Sequence, residues 1–136
     1  MRHSLDVLVV DDDPIIARLF DQVLRKRGLH VAAVETGRQA LHILRGRDFE
    51  LVILDLSLAD YDGLELLRQV RFEFPAMKIL VVSGFMSGAV AKIAITLGAS
   101  GTLAKPATSS QILAAVDELL GTRESGFGQE SPGDGA

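Results

Sequence analysis

Short apolar runs alternate with amphipathic stretches five times along the chain, and this alternation constrains the fold more than any other feature. Three of the runs are almost unbroken Val, Ile and Leu, which is typical of strands covered on both faces in a parallel sheet. Each run therefore predicts a strand. The predicted strands are Leu5–Val10, His30–Val34, Leu51–Leu54, Lys78–Val82 and Gly101–Leu103.

The stretches between the strands predict helices, because their apolar residues recur at helical spacing. The first begins at Pro14 with Asp13 as its cap and ends near Gly28. The other predicted helices are Gly37–Arg45, Gly63–Phe72, Ser87–Leu97 and Ser109–Leu120. Helical crossovers between strands require a parallel sheet with right-handed connections. The prediction is an α/β doubly wound (βα)5 fold, a flavodoxin-like three-layer sandwich with strand order 2-1-3-4-5.

Length and composition restrict the class of protein. The chain has 136 residues, of which 48% are hydrophobic, enough for one domain with a full core. We expect that domain over residues 1–120 and a disordered tail over residues 121–136, which are rich in Gly and Ser and lack periodicity. The net charge of −4 argues against direct nucleic-acid binding, and the absence of cysteine excludes thiolate sites. No apolar run approaches the roughly 20 residues of a membrane span. A cytoplasmic protein is expected.

Polar side chains follow four of the predicted strands, at the points where the strands end. Ligands of open α/β sheets bind beyond the carboxyl ends of the strands, where the strand order reverses. In the predicted order the first and third strands are neighbours at this switch point. We therefore expect Asp11, Asp12 and Asp55 to converge there, with Ser83 and Lys105 beside them. The residues are Asp11, Asp12 and Asp13 after the first strand, Asp55 after the third, Ser83 after the fourth and Lys105 after the fifth.

Clustered carboxylates repel one another unless a cation neutralises them, so the cluster predicts a divalent metal. A few carboxylates with room for water and phosphate oxygens suit Mg²⁺ better than Ca²⁺. The ammonium of Lys105 suits an anion held at that metal, such as a phosphoryl group, and Ser83 adds a hydroxyl donor. Asp55 is then placed to act as a carboxylate nucleophile toward phosphorus.

Four stretches of this sequence resemble the receiver domain of two-component response regulators. They occur in the order found in that family, each at the end of the expected strand, and the resemblance covers about residues 5–120. The stretches are LVVDDDP (8–14), LVILDLSLADYDG (51–63), LVVSG (80–84) and GTLAKP (101–106).

The resemblance implies a role for each matching residue. Asp55 is the phosphoacceptor, taking a phosphoryl group from a sensor histidine kinase or a histidine phosphotransfer protein. Asp12 binds Mg²⁺ directly, Asp11 acts mainly through a bound water, and Asp55 and the backbone carbonyl of Ser57 complete the protein ligands. Ser83 and Lys105 contact the phosphoryl oxygens. The chain would then be a phosphoacceptor signalling domain rather than an enzyme, and a stand-alone one, switching contact with an unidentified protein or relaying the phosphoryl group.

Three positions depart from the family pattern or border the site. Thr102 stands where the family usually has Tyr or Phe, a switch residue that reorients when Ser83 or its equivalent engages the phosphoryl group. The usual readout through the fourth helix, fifth strand and fifth helix is therefore in question. Ala59 stands where family members often have proline, and the absence of the proline ring loosens the turn after Asp55. Phe85 is expected to border the site and to alter water access.

Two other functions remain open from the sequence. A haloacid-dehalogenase-like phosphatase also places D-x-D after its first strand, and Asp11-x-Asp13 qualifies, but that activity leaves Asp55 without a role. A receiver that binds partners without being phosphorylated is the third hypothesis, and Thr102 is the residue that favours it.

Overall fold

Strands and helices alternate strictly in the computed structural model, which describes residues 6–121. The strands are β1 (Asp6–Val10), β2 (His30–Val34), β3 (Leu51–Asp55), β4 (Lys78–Ser83) and β5 (Gly101–Ala104). The helices are α1 (Pro14–Lys26), α2 (Gly37–Gly46), α3 (Gly63–Glu73), α4 (Gly88–Leu97) and α5 (Ser109–Leu120). Except for residue 121, the tail expected over 121–136 lies outside the described residues.

The five strands form one parallel sheet in the order β2-β1-β3-β4-β5, which confirms the predicted doubly wound topology. Val10 is opposite both Val34 of β2 and Leu54 of β3, and Asp55 is opposite Val82 of β4. The three middle strands are buried almost throughout, as their apolar sequences predicted, whereas β2 and β5 at the edges are more exposed. The carboxyl ends of β1, β3 and β4 are therefore adjacent.

The two faces of the sheet carry separate apolar cores. Alternate strand residues point to opposite faces, so Leu8 and Val52 contribute to one core and Val7 and Leu51 to the other. The first core lies mainly under α2, α3 and α4, and the second lies under α1 and α5. Burial on both faces stabilises the sheet and thereby fixes the positions of the carboxyl ends of its strands.

Element ends differ from the prediction by a residue in several places, and the helix α4 shows why. Ser87 was expected inside that helix, but its backbone is extended (φ −123°, ψ 172°) and its hydroxyl accepts a hydrogen bond from the amide of Val90. A serine that caps a helix lies outside it, so the helix begins at Gly88. Asp55, Ser83 and Ala104 are the last residues of their strands rather than the first residues after them.

A half-buried arginine joins the ends of two helices on the amino side of the sheet. The Arg71 guanidinium donates to the carbonyl oxygen of Gly98 from Nε at 3.0 Å and from Nη2 at 2.8 Å. It also donates to the carbonyl oxygens of Phe74 at 3.1 Å and Pro75 at 2.8 Å. Phe74 and Gly98 are the C-cap residues of α3 and α4, so one side chain satisfies carbonyls at both helix ends.

Candidate functional site

The carboxyl end of β1 presents two acidic side chains in different environments. Asp11 is only 4% exposed, its amide donates to the carbonyl of Val34, and its Oδ1 accepts a hydrogen bond from the amide of Asp13. Asp12 is exposed. The backbone bonds thus fix Asp11 inside the site while Asp12 faces its opening.

Three carboxylates converge as predicted. One oxygen from each of Asp11, Asp12 and Asp55 lies within 4.8 Å of the other two. The donors are all carboxylate oxygens, two from buried residues and one from an exposed residue, which is the kind of donor set that Mg²⁺ accepts. This cluster could hold a divalent cation and leave one side open to water or to an oxyanion.

Lys105 is the cation that the protein itself supplies. Its Nζ lies 2.9 Å from Oδ2 of Asp11 and 3.4 Å from Oδ1 of Asp55. Burial lowers the pKa of Lys105, but the hydrogen bond and charge of Asp11, together with Asp55, outweigh burial and leave the pKa above its ordinary value. The ammonium therefore stays charged. The Lys105–Pro106 peptide is cis, and the Lys105 amide donates to the Ser83 carbonyl at 2.9 Å.

Asp55 sits at the centre of this arrangement, 4% exposed at the end of β3. Burial is the largest influence on its carboxyl group and raises its pKa. The nearby charge of Asp11 raises the pKa further, whereas the Ser57 amide, donating to Oδ1 at 3.1 Å, and Lys105 oppose the rise. The net effect is a raised pKa, so the carboxylate lacks full compensation from the protein alone.

Ser83 is buried at the end of β4, and its hydroxyl oxygen accepts a hydrogen bond from the amide of Phe85 at 3.0 Å. Phe85 itself is 82% exposed. Ile15, in the first turn of α1, is 76% exposed. Two apolar side chains therefore lie open on the segments that follow β1 and β4.

The loop after Asp55 closes tightly on itself. A Cβ added at Gly63 would lie 2.3 Å from the carbonyl oxygen and 2.4 Å from the Cα of Leu56. No other residue fits such a backbone approach without movement, so glycine is required there. The approach joins the first residue of α3 to the residue that follows Asp55, and Ser57 projects from the loop between them.

Two residues in the sequence argument lie outside the carboxylate cluster. Asp13 caps α1, as expected, by accepting a hydrogen bond from the amide of Ile15 at 3.0 Å. Thr102 lies within β5, where it lines a cavity of about 260 Å³ together with Ile95, Ala115 and Leu119. Asp60, which no sequence pattern predicts as a site residue, reaches the first amides of α2 with its carboxylate.

Comparison with known proteins identifies the family. The family model described as the response regulator receiver domain matches residues 7–117. The chain belongs to the receiver domains of two-component response regulators. This receiver domain accordingly carries the family's fold, and the sequence resemblance is confirmed.

Relatives and solved structures agree with this assignment. The chain is 35% identical over 121 residues to the transcriptional regulatory protein ZraR of Escherichia coli, covering 88% of this chain and 27% of that protein. It is 34% identical to the alginate biosynthesis transcriptional regulatory protein AlgB of Pseudomonas putida, covering 87% of this chain and 26% of that protein. The receiver domain thus spans about a quarter of the length of these curated relatives.

The fold matches solved receiver domains closely. A CheY-like receiver domain protein from Methanospirillum hungatei superposes with a TM-score of 0.83 at 28% identity, covering 91% of this chain and 99% of the other. The receiver domain of NtrX from Brucella abortus gives a TM-score of 0.81 at 29% identity, covering 86% and 99%. Within residues 6–121, no helix is both long enough and apolar enough to cross a membrane.

Proposed function

We propose that this receiver domain accepts a phosphoryl group on Asp55 in the presence of Mg²⁺. The observation that carries the proposal is the position of Asp55, a buried carboxylate with a raised pKa beside two further acids and a lysine ammonium. Such a cluster favours a metal cation over an empty state, and the cation together with the Lys105 ammonium would then attract an incoming oxyanion.

Each neighbouring residue has a role in the proposal. Asp55 and the backbone carbonyl of Ser57 bind the metal directly. Asp12 also binds it directly, because its side chain faces the opening of the site. Asp11 acts through a bound water, since its two oxygens already accept hydrogen bonds from Lys105 and the Asp13 amide. When bound, Mg²⁺ would neutralise charge on the phosphoryl oxygens and the acceptor.

The transfer itself is a displacement at phosphorus. A carboxylate oxygen of Asp55 forms a bond to phosphorus while the P–N bond of a phosphohistidine breaks, and the leaving imidazole keeps the electron pair and takes up a proton. Lys105 then pairs with one phosphoryl oxygen, and the hydroxyl of Ser83 turns from the Phe85 amide to donate to another. The donor is a sensor histidine kinase or a histidine phosphotransfer protein, for which exposed Ile15 and Phe85 offer apolar contact.

The output is a change in contact with another protein, or onward transfer of the phosphoryl group. The acidic balance of the chain favours a protein over a nucleic acid as the direct partner. A phosphatase of the haloacid dehalogenase type is less well supported, because Asp13, the second acid of its D-x-D, is engaged as a helix cap outside the carboxylate cluster.

The test is the intact mass of the protein after incubation with acetyl phosphate and Mg²⁺. Wild type is expected to gain one base-labile phosphoryl group, Asp55→Ala none, and the exposed-acid control Asp48→Ala one. No adduct on wild type would support binding without phosphorylation instead. An adduct that persists in Asp55→Ala would assign the nucleophile elsewhere and revive the phosphatase.

A further inference from the structure

The loop that joins β3 to α3, residues 56–62, contacts the beginning of α2. The Asp60 carboxylate accepts hydrogen bonds from the amide of Gly37 at 2.9 Å and the amide of Arg38 at 3.1 Å. These are the first two amides of α2, which have no partner within the helix, and α2 has no acidic residue of its own in that turn. The two backbone hydrogen bonds, chiefly the one from Gly37, hold the pKa of Asp60 below its ordinary value. Asp60 is therefore an ionised acceptor at the positive end of the helix dipole.

An apolar contact adjoins this polar one. A Cβ added at Gly37 would lie 2.6 Å from Cδ2 and 3.0 Å from Cγ of Tyr61, and 3.0 Å from Cδ2 of Leu66. The ring of Tyr61 thus lies directly against the Cα of Gly37, in space that any larger residue would occupy. Two successive loop residues are therefore fixed to one turn of α2, one by hydrogen bonds and one by packing.

The same loop contains Ser57, whose amide contacts the carboxylate of Asp55. Ser57 is exposed, and the interaction that its amide makes is the hydrogen bond to Oδ1 of Asp55. Ala59 follows two residues later, so no proline ring restricts φ at that position. The path of residues 57–59 is thereby set by the buried side chain of Leu58 and by two flanks, the Gly63–Leu56 approach and the contacts of Asp60 and Tyr61 with α2.

We infer that Asp60 and Tyr61 are positioning residues for the phosphoryl-transfer site. By fixing the β3–α3 loop on the first turn of α2, they hold Ser57 where its backbone carbonyl completes the Mg²⁺ ligands. The inference rests on the proposed function. Its physical basis is that a loop ordered before the metal arrives loses less conformational entropy on binding than a loose one.

Two variants remove the contacts from opposite sides, and each has a matched control. Asp60→Ala removes the acceptor, while Thr36→Ala removes the α2 cap that accepts from the Gln39 amide and leaves the loop contact in place. Gly37→Ala adds a methyl group that would collide with the ring of Tyr61. Gly46→Ala adds the same methyl group at the other end of α2, where it meets nothing within 4 Å.

Two measurements are made on each variant. The first is the Mg²⁺ dissociation constant, from an NMR titration of backbone amides with MgCl₂. Asp60→Ala and Gly37→Ala should weaken binding by at least about threefold, and each control should stay within a factor of about 1.5, since supporting residues of metal sites act on affinity. Asp60→Asn retains one acceptor oxygen and should fall between Asp60→Ala and wild type. The second measurement is amide hydrogen exchange of residues 56–62 in EDTA, which should speed up in Asp60→Ala and Gly37→Ala and stay unchanged in the two controls.

The outcomes separate this inference from the proposed function. Loop exchange that is unchanged in both Asp60→Ala and Gly37→Ala would overturn the positioning role, whatever the metal does. Equal weakening of Mg²⁺ binding by Asp60→Ala and Thr36→Ala would also overturn it, because general loosening of α2 would then explain both. Absence of Mg²⁺ binding by wild type would overturn the metal part of the proposed function and the consequence inferred for Ser57, while exchange still decides whether Asp60 anchors the loop.

Discussion

Lys105→Met should destabilise the metal-free protein, because it leaves two buried carboxylates without their cation. The ammonium lies 2.9 Å from an oxygen of Asp11 and 3.4 Å from one of Asp55. At an effective dielectric constant of about 20, these distances give attractions of about 6 and 5 kcal/mol. The desolvation of three ions, at several kcal/mol each, offsets most of that gain.

The net loss follows from removing one partner of a buried ion pair, which costs about 3–5 kcal/mol in a fully buried setting. The Lys105 side chain retains 19% exposure, and Asp55 can take up a proton, so we expect about 2–3 kcal/mol. With an unfolding entropy of about 2.1 cal/mol/K per residue, this corresponds to a fall in Tm of about 8–12 °C. Methionine keeps most of the apolar length of the lysine, so the loss reports charge rather than packing.

The pH dependence gives the prediction its specific signature. The pKa of Lys105 is raised, so its stabilising contribution is fully present below its ordinary value of 10.5 and is lost only as the pH rises through the folded-state pKa. The pKa of Asp55 is also raised, which means that its charged carboxylate costs stability at neutral pH. That cost falls as the group is protonated at lower pH. Without Lys105 that pKa rises further, and the carboxyl takes up a proton as the pH falls. The destabilisation should therefore be largest near about pH 8 and shrink toward about pH 4.5.

The assay is thermal unfolding by circular dichroism in EDTA at several pH values, with Lys92→Met, which replaces an exposed lysine of α4, as the control. The control should match wild type throughout. A Lys105→Met protein as stable as wild type at about pH 8 would refute the charge argument. A loss that stays constant between about pH 4.5 and 8 would show that packing, not charge, is responsible.

Three further outcomes are expected. In EDTA, the free energy of unfolding of Asp12→Ala should equal that of wild type or exceed it by up to about 1 kcal/mol, because the substitution relieves repulsion within the cluster. A lower Tm would show that Asp12 is structural. Gly63→Ala should lose about 2 kcal/mol or more in urea unfolding, since its Cβ would collide with the backbone of Leu56; an unchanged midpoint would contradict that contact. Glu73→Gln should remove stability only above acid pH. The hydrogen bond from Arg45 lowers the Glu73 pKa to about 2, so the contribution is present above 4.5 and is lost as the pH falls toward 2; a wild-type–variant difference that persists at about pH 2 would contradict this.

The parts of the fold that were predictable from sequence are those decided by burial. The strands β1, β3 and β4 are covered on both faces, so their sequences are almost entirely apolar. In a parallel sheet, the carboxyl ends of these neighbouring strands lie at the same edge. The sequence alone therefore predicts that Asp11, Asp12 and Asp55 lie together, as they do in the structure. The helix cap Asp13 was equally predictable, because a cap acts on amides two or three residues away.

Contacts between loops were not predictable in the same way. Asp60 binds amides more than twenty residues earlier in the chain, and nothing in the local pattern of the β3–α3 loop distinguishes it from an ordinary turn acid. Its partner depends on the path of two loops, which burial periodicity does not specify. The sequence shows that Thr102 departs from the family pattern, but only the structure shows that it lines an open cavity between α4 and α5.

The arginine that joins the ends of α3 and α4 makes helix α4 a lever with a fixed end. Arg71 holds the Gly98 carbonyl, so the carboxyl end of the helix is pinned, while the amino end follows the Gly84–Ser87 segment beside Ser83. Ten residues at 1.5 Å each make an arm of about 15 Å, so a tilt of about 10° moves the amino end by about 2.6 Å. A small displacement at Ser83 would thus be converted into rotation of the whole helix, and the pivot lies at the opposite edge of the sheet from Asp55.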